Sequence, residues 1–409
     1  LTGQDTPAAR QSNAMVAVLV AAMLAVQALG SMANLTLAVM APAAAPDFGI
    51  APSWIGMYSG IMYVGAVVST LVSGGFVSRW GPIRVSQVSL VASAAGLALL
   101  PTGAAWMLVP SALLVGLGYG PMTPASSHLL ARRTPQRFMS LIFSVKQTGV
   151  PIGYAIAGSL LTVIVVTWDW RTAAWSAAAL CVAMAALLQF WREDFDDDRG
   201  VRRPFSMSAV TGPLRLVFSH PPLRLLAVAS LVFAAMQIGV TAFLVTYLAE
   251  GVGLGLVAAG MALTCAQVAA VIGRILWGGL ADRLVSPRVM LALLGFGMSL
   301  SVWAVTLFTA ATPFLVIAAV CAAIGATVIG WNGVFLAETA RAAPAGRVGE
   351  ATGGVLSVTF SGVVLGPPAL TLLVSATGGY ASGFIILGIG TAVVSVLFLT
   401  TSAYRTEKS

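Results

Sequence analysis

The sequence predicts an all-α membrane protein, with twelve transmembrane helices arranged in two pseudo-symmetric six-helix halves. Three observations predict it. Hydrophobic residues make up 58% of the 409-residue chain and charged residues only 8%, whereas about a quarter of a soluble domain is charged. The apolar residues fall into twelve runs, each near the roughly 20 residues that a bilayer span needs. Motifs at the ends of these runs recur at a nearly constant distance, the mark of a six-span unit used twice.

The runs cover 14–42, 53–77, 84–103, 105–131, 138–166 and 170–191, then 222–249, 255–281, 287–309, 312–337, 351–375 and 379–402. They are spans 1 to 12. Span 1 starts in an apolar run, from about Ala14 to Pro46, that is too long for a signal-peptide core, so it is expected to be retained. Spans 2 and 3 are separated by "GGFVSRWGPIRV" (74–85), and span 4 ends at "ARRTPQR" (131–137). Span 5 carries "FSVKQTGVPIG" (143–153), and span 6 opens within "WDWR" (168–171). After span 6 comes the one long polar stretch, "REDFDDDRGVRRPFSMSAVTGPLR" (192–215). Its mixed charge reads as a solvated linker with a short interfacial helix. Span 8 ends in "GGLADRLVSPRV" (278–289), which leads into span 9, and "ARAAPAGR" (340–347) joins span 10 to span 11. The domain organisation is therefore an N-terminal half (1–191), a linker (192–221) and a C-terminal half (222–409).

The chain carries 21 Lys and Arg and a formal charge of +8. The bases sit in short loops between apolar runs, with no basic tail or face, which argues against a nucleic-acid partner. All but three belong to one set of alternate segments, from Arg10 and Arg79 through Arg199, Arg202 and Arg203 to Arg405 and Lys408. Lys and Arg collect on the cytoplasmic side, so both termini are expected there. The opposite loops hold only Arg171. Cys181, Cys265 and Cys321 all lie inside apolar runs and read as buried thiols, without disulfide or metal spacing. With two histidines, His128 and His220, and no phosphate-binding Gly-rich Lys loop, neither an enzyme, a cofactor, a metal site nor an ATP-driven motor is expected. Two bases remain inside spans: Lys146 in span 5 and Arg274 in span 8.

The repeat carries a family resemblance. Its two loop copies begin 204 positions apart, at Gly74 and Gly278, and "SVKQTG" (144–149) matches "SVTFSG" (357–362). The chain resembles transporters of the major facilitator superfamily over essentially its whole length. The second loop copy bears the family signature in Gly278, Gly279, Leu280, Ala281, Asp282, Arg283 and Arg288. The first keeps Gly74, Gly75, Arg79, Gly81 and Arg84, with Ser78 where the family's acid stands. The resemblance implies alternating access, with Gly75, Arg79, Arg84, Gly279, Asp282, Arg283 and Arg288 at a cytoplasmic gate that Ser78 weakens in its first copy.

A charge at mid-membrane costs about 2.5–3.5 kcal/mol on insertion scales, so Lys146 and Arg274 call for a reason. No Asp or Glu lies within a predicted span to neutralise them. Each is eight residues from the inner end of its span, about 12 Å at 1.5 Å per residue, which puts both near the midplane. The resemblance places spans 5 and 8 side by side at the interface of the halves, so the two cations are expected at a central cavity. Across the repeat they correspond to Thr359 and Thr70, which gives a positive wall facing a hydroxyl wall. Arg274 can instead cap backbone carbonyls, and Lys146 can snorkel. Two unpaired cations at a cavity imply an anionic ligand. "GRILWGG" (273–279) resembles the arginine-bearing span 8 of monocarboxylate and oxalate–formate porters, which implies that Arg274 binds a substrate carboxylate. The acid that stands one turn earlier in the monocarboxylate group is Ala270 here. "FSVKQTGVPIG" resembles cyanate-permease-like bacterial members.

Gln27, Ser31 and Asn34 share one face of span 1, and Gln237 and Thr241 repeat the start of that pattern in span 7. The fold implied by the resemblance puts both faces on the cavity, so Gln27, Asn34 and Gln237 are ligand candidates, with interhelical bonding as the rival role. Gln147 and Gln267 share that ambiguity. Tyr63, Tyr119, Trp331 and Asn332 are candidate pocket-shaping residues. The expectation is a monomeric secondary transporter of a small organic anion, a carboxylate, in the bacterial inner membrane. Its coupling is left open between anion exchange, uniport and proton co-transport through the substrate carboxylate or Lys146. The alternative is a proton-coupled drug or metabolite exporter, since "GVPIG" followed by "WDWR" resembles the exporter pattern; those proteins usually carry a membrane-embedded acid, which these spans lack.

Overall fold

The structure, a computed structural model, describes residues 7–50, 55–197, 208–377 and 379–401. Arg199, Arg202, Arg203, Arg405 and Lys408 lie outside the described residues. Among the described residues, twelve helices are long and apolar enough to cross a membrane. In chain order they are α1 (Met15–Phe48), α2 (Met57–Trp80), α3 (Pro82–Thr102), α4 (Ala105–Arg133), α5 (Gln136–Thr167) and α6 (Trp170–Phe195), then α7 (Pro221–Ala249), α8 (Ala258–Arg283), α9 (Pro287–Val305), α10 (Phe314–Ala342), α11 (Val348–Thr377) and α12 (Tyr380–Thr400). The linker contributes a short helix, Ser208–Ser219. The chain is a multi-pass all-α membrane protein.

Several boundaries differ from the sequence reading. The first helix runs to Phe48 through Pro42 and Pro46. Next to its end, Asp47 accepts from Trp170 Nε1 at 2.9 Å and pairs with Arg171 at 2.7 Å, which ties α1 to α6. α9 stops at Val305, because Thr306 to Thr312 close on themselves; Thr309 N donates to Thr312 Oγ1 at 2.9 Å. α10 runs on to Ala342, because Glu338 and Arg341 are good helix formers that pair with each other one turn apart at 3.9 Å.

Within each half, small residues let the helices approach closely, as membrane helices need. A Cβ on Gly65 would fall 2.9 Å from Leu113 O, and one on Gly273 would fall 2.8 Å from Ala326 Cα. The two halves meet along two seams: α2 packs on α11, and α5 packs on α8 and α10.

The signature loops sit at the linker end of these seams, and the second copy locks. Asp282 accepts from the backbone N–H of Ser140 at 2.9 Å and Leu141 at 2.7 Å, so a carboxylate from the C-terminal half caps the first turn of α5. Arg341 donates to Asp282 Oδ1 at 2.9 Å and to Ser140 Oγ at 2.8 Å. In the first copy Ser78 bonds back to Gly74 O at 2.9 Å and crosses no seam.

The other expected gate residues take different places. The close approaches come from Gly74 and Gly278, one residue before the expected Gly75 and Gly279. A Cβ on Gly74 would meet Glu350 Cα at 2.7 Å, and one on Gly278 would meet Ser144 Oγ at 2.5 Å, while Gly75 and Gly279 face open space. Arg79 and Arg283 are exposed. Arg84 offers its backbone N–H to the buried Asp196 at 3.1 Å, alongside Ile83 N at 2.8 Å, so the linker acid caps α3. Arg288 donates to Phe398 O and Thr401 O, which fastens α9 to the end of α12 within one half.

Candidate functional site

A cavity lies between the halves near mid-helix. The N-terminal half lines it with Gln27 of α1, Tyr63 of α2, Tyr119 and Thr123 of α4, and Gln147, Val150 and Tyr154 of α5. The C-terminal half contributes Gln237 of α7, Arg274 of α8, Trp331, Asn332 and Phe335 of α10, and Thr359 and Phe360 of α11.

Arg274 is 2% exposed and is anchored from two sides. Its Nε and Nη2 donate to Ile329 O at 3.2 and 3.1 Å, and its Nη1 donates to Gln147 O at 2.5 Å. Ile329 closes a π-turn, Gly325–Ile329, where α10 breaks step before resuming at Asn332. Such turns often mark functional sites. Gly273 lets α8 approach this turn, and Trp277 Nε1 donates to Ala326 O at 2.7 Å. A guanidinium has five N–H donors. Three are used here, which leaves one on each Nη at the cavity wall. Carbonyl capping thus leaves donors to spare at the cavity wall.

Lys146 is also 2% exposed, but it lies behind the wall. Its Nζ donates to Gln27 Oε1 at 2.7 Å, Gln147 Oε1 at 3.0 Å and Thr123 Oγ1 at 3.4 Å. Those three side chains all line the cavity. An ammonium has three donors, so none remains for a ligand. Instead of facing the cavity beside Arg274, the ammonium stands one residue back, and Gln147 joins the two. The acids at the linker end of α8 and α10, Asp282 and Glu338, pair with Arg341. Neither Lys146 nor Arg274 forms an ion pair among the described residues.

Gln237 gathers the C-terminal wall. Its Oε1 accepts from Trp331 Nε1 at 2.9 Å and Asn332 Nδ2 at 3.3 Å. Gln27 holds the matching position in the other half, and its Oε1 also accepts from Thr123 Oγ1 at 3.0 Å. Aromatic rings close the cavity across the halves: Phe360 lies 5.8 Å from the Tyr63 ring and 6.0 Å from Tyr119.

Gln27, Gln147, Gln237, Tyr63, Tyr119, Asn332, Thr359 and Arg274 therefore converge on one space. Four expected contacts stand apart from it. Lys146 is screened as described. Asn34 donates to the Tyr63 hydroxyl at 3.3 Å and supports the wall from behind. Gln267 is half-buried in α8, two turns from Arg274 and outside the lining. Thr70 is fully buried against Gly120 and Gly353, and its hydroxyl has no hydrogen-bond partner among the described residues. The expected hydroxyl wall is therefore Thr359 alone, 2.8 Å from Ser230 Oγ.

Sequence reasoning missed Thr123, Tyr154, Phe360 and the Ile329 carbonyl. Helical spacing carries a signal for two of them: Thr123 is one turn after Tyr119, and Tyr154 follows Gln147 and Val150 on one face. Nothing in the sequence marks the π-turn that presents Ile329 O.

The family model for the Major Facilitator Superfamily matches residues 21–360. The chain belongs to this superfamily. Its members are transporters, and this chain is a transporter, not an enzyme. Among curated superfamily relatives, the cis,cis-muconate transport protein of Acinetobacter baylyi is 21% identical over 89% of each chain. The 4-hydroxybenzoate transporter of Pseudomonas aeruginosa is 27% identical over 37% of this chain and 34% of its own. Among solved structures, the Escherichia coli fucose:proton symporter superposes with a TM-score of 0.72 at 16% identity, over 94% of this chain and 98% of its own. The human organic anion transporter gives a TM-score of 0.72 at 15% identity, over 93% and 98%. At such identities these structures speak to the superfamily fold.

Proposed function

We infer that this transporter moves a small organic carboxylate, with an unsaturated or aromatic body, by alternating access across the bacterial inner membrane. The observation that carries the reading is Arg274: a buried guanidinium in the wall of the central cavity, one N–H left on each Nη, and no ion-pair partner among the described residues. A cation held in a low-dielectric site without a counter-ion is costly. A carboxylate supplied as substrate satisfies it, and the two Nη groups suit its two oxygens. The aromatic lining offers faces for a planar body, and Asn332 and Gln237 offer amide groups at its polar edge. The names of the relatives point to the same class of cargo, since they carry muconate and 4-hydroxybenzoate.

The base-rich loops support a cytoplasmic placement of both termini and of the linker. The Asp282–Arg341 contacts then hold the cytoplasmic side shut, and the cavity is loaded from outside. Purified protein should be stabilised in a thermal-shift screen by benzoate, 4-hydroxybenzoate or cis,cis-muconate. It should not respond to benzyl alcohol or benzylamine, which keep the ring and lose the anion. Equal stabilisation by the neutral or cationic analogue would sink the carboxylate reading.

A further inference from the structure

Lys146 is the buried charge that the cavity contacts leave unused. It sits one residue behind the wall, and its three partners, Gln27, Gln147 and Thr123, are neutral and reach the cavity. The same partners satisfy the side chain with or without its extra proton. As an ammonium it donates to two amide oxygens and to Thr123 Oγ1. As an amine it keeps the two amide acceptors, and its lone pair needs a donor. Thr123 can become that donor by turning its hydroxyl hydrogen away from Gln27 Oε1, 3.0 Å away, because a hydroxyl both donates and accepts. The titratable and charged groups in the cavity that its partners line are Arg274 from α8, Tyr119 from α4, Tyr63 from α2 and Tyr154 from α5; among the described residues α1, α7, α10 and α11 bring only neutral side chains to it. Among the described residues, Arg274 is thus the only fixed charge in the cavity lining.

We propose that Lys146 Nζ is a proton-binding site coupled to the anion at Arg274: the site gains its proton as the carboxylate enters and loses it as the carboxylate leaves. The inference rests on the carboxylate reading. Water in the cavity delivers the proton, so that an amine and a hydronium become an ammonium and a water. The charges balance. With Arg274 alone charged, the empty site carries one positive charge. With both cations and one carboxylate, the loaded site again carries one. The carrier then crosses the membrane in the same charge state both ways, and each monoanion moves with one proton. A permanently charged Lys146 would leave two uncompensated cations in the empty carrier, at twice the burial cost.

The test is titration calorimetry of the full chain with 4-hydroxybenzoate, and with cis,cis-muconate for comparison, in two buffers of different ionisation enthalpy. The dependence of the heat on the buffer counts protons taken up per anion bound. Wild type is expected to take up between about 0.5 and 1 proton per 4-hydroxybenzoate somewhere between about pH 6 and 9, and to bind more tightly as the pH falls through that range. Lys146→Gln should bind more weakly with no uptake. Lys146→Arg, which keeps the charge, should also show none and serves if the glutamine variant does not fold. Binding by wild type without proton uptake throughout the range, or full uptake in a folded Lys146 variant, overturns the coupling and leaves the carboxylate reading standing. Binding of neither anion overturns the carboxylate reading and this inference with it.

Discussion

The two seams between the halves are built from equivalent positions of one repeat, yet they are held by different chemistry. The α5/α8 seam carries charge at both levels. At mid-membrane Arg274 crosses it to Gln147 O, and at the linker end Asp282 crosses it to Ser140 and Leu141. At the matching positions the α2/α11 seam carries Thr70, Thr359 and Ser78, and its close approaches come from glycines: Gly74 against Glu350, and Gly353 against Thr70 O, where a Cβ would sit at 2.5 Å. On the proposed carboxylate reading, the difference teaches which seam senses the cargo. Glycine packing is short-ranged and indifferent to charge. A seam bridged by an arginine with N–H groups to spare changes its own bonding when an anion arrives.

Substitutions sharpen this contrast. The largest effect is expected at Arg274→Ala, which removes the cavity's cation and orphans Ile329 O and Gln147 O. Calorimetric affinity for 4-hydroxybenzoate should fall at least about 100-fold, the weight of one or two charge-assisted bonds. Arg274→Lys should recover little of it, because a point charge reproduces neither the two-carbonyl anchor nor the fork. At the linker end of the same seam, Asp282→Asn removes the charge that Arg341 and the first turn of α5 share. Spin labels on the linker ends of α4 and α10 should then report a population shifted toward longer distances. An unchanged distribution would mean that glycine packing alone holds this side closed.

Lys146→Gln should weaken binding by about ten-fold or less, since the ammonium acts through Gln27 and Gln147 and not by contact. The α2/α11 seam should respond least. Thr359→Ala, at the cavity wall, should cost about two- to three-fold in affinity, near the net worth of one neutral hydrogen bond. Thr70→Ala should leave affinity unchanged. A large loss at Thr70 would erase the distinction between the seams.

Much of this architecture is legible in the sequence, because a membrane span must be apolar for its whole length and a buried charge stands out against that background. The twelve helices, the repeat and the two intramembrane cations are read directly. What escapes is helical phase and the neighbour across the seam. Gly74 and Gly75 are identical residues in a row, and only the packed helix decides that the first meets Glu350. Thr70 matches Arg274 by repeat position, but its short side chain ends between Gly120 and Gly353, whereas a guanidinium reaches the cavity. The spare donors of Arg274 and the absence of any on Lys146 depend on Ile329 O, Thr123 and Gln27, which lie far apart in the chain. The capping role of Asp282 likewise needs the start of α5 beside it.

The central claim is that Arg274 is the anion's contact and that the rest of the cavity shapes what lies against it. Its most direct test is the calorimetric affinity of folded Arg274→Ala and Thr70→Ala variants for 4-hydroxybenzoate, each checked by size-exclusion chromatography and set against wild type. The account predicts loss of binding in the first and wild-type affinity in the second. Wild-type affinity in a folded Arg274→Ala variant would contradict it, and would reduce the arginine to a brace between α5, α8 and α10.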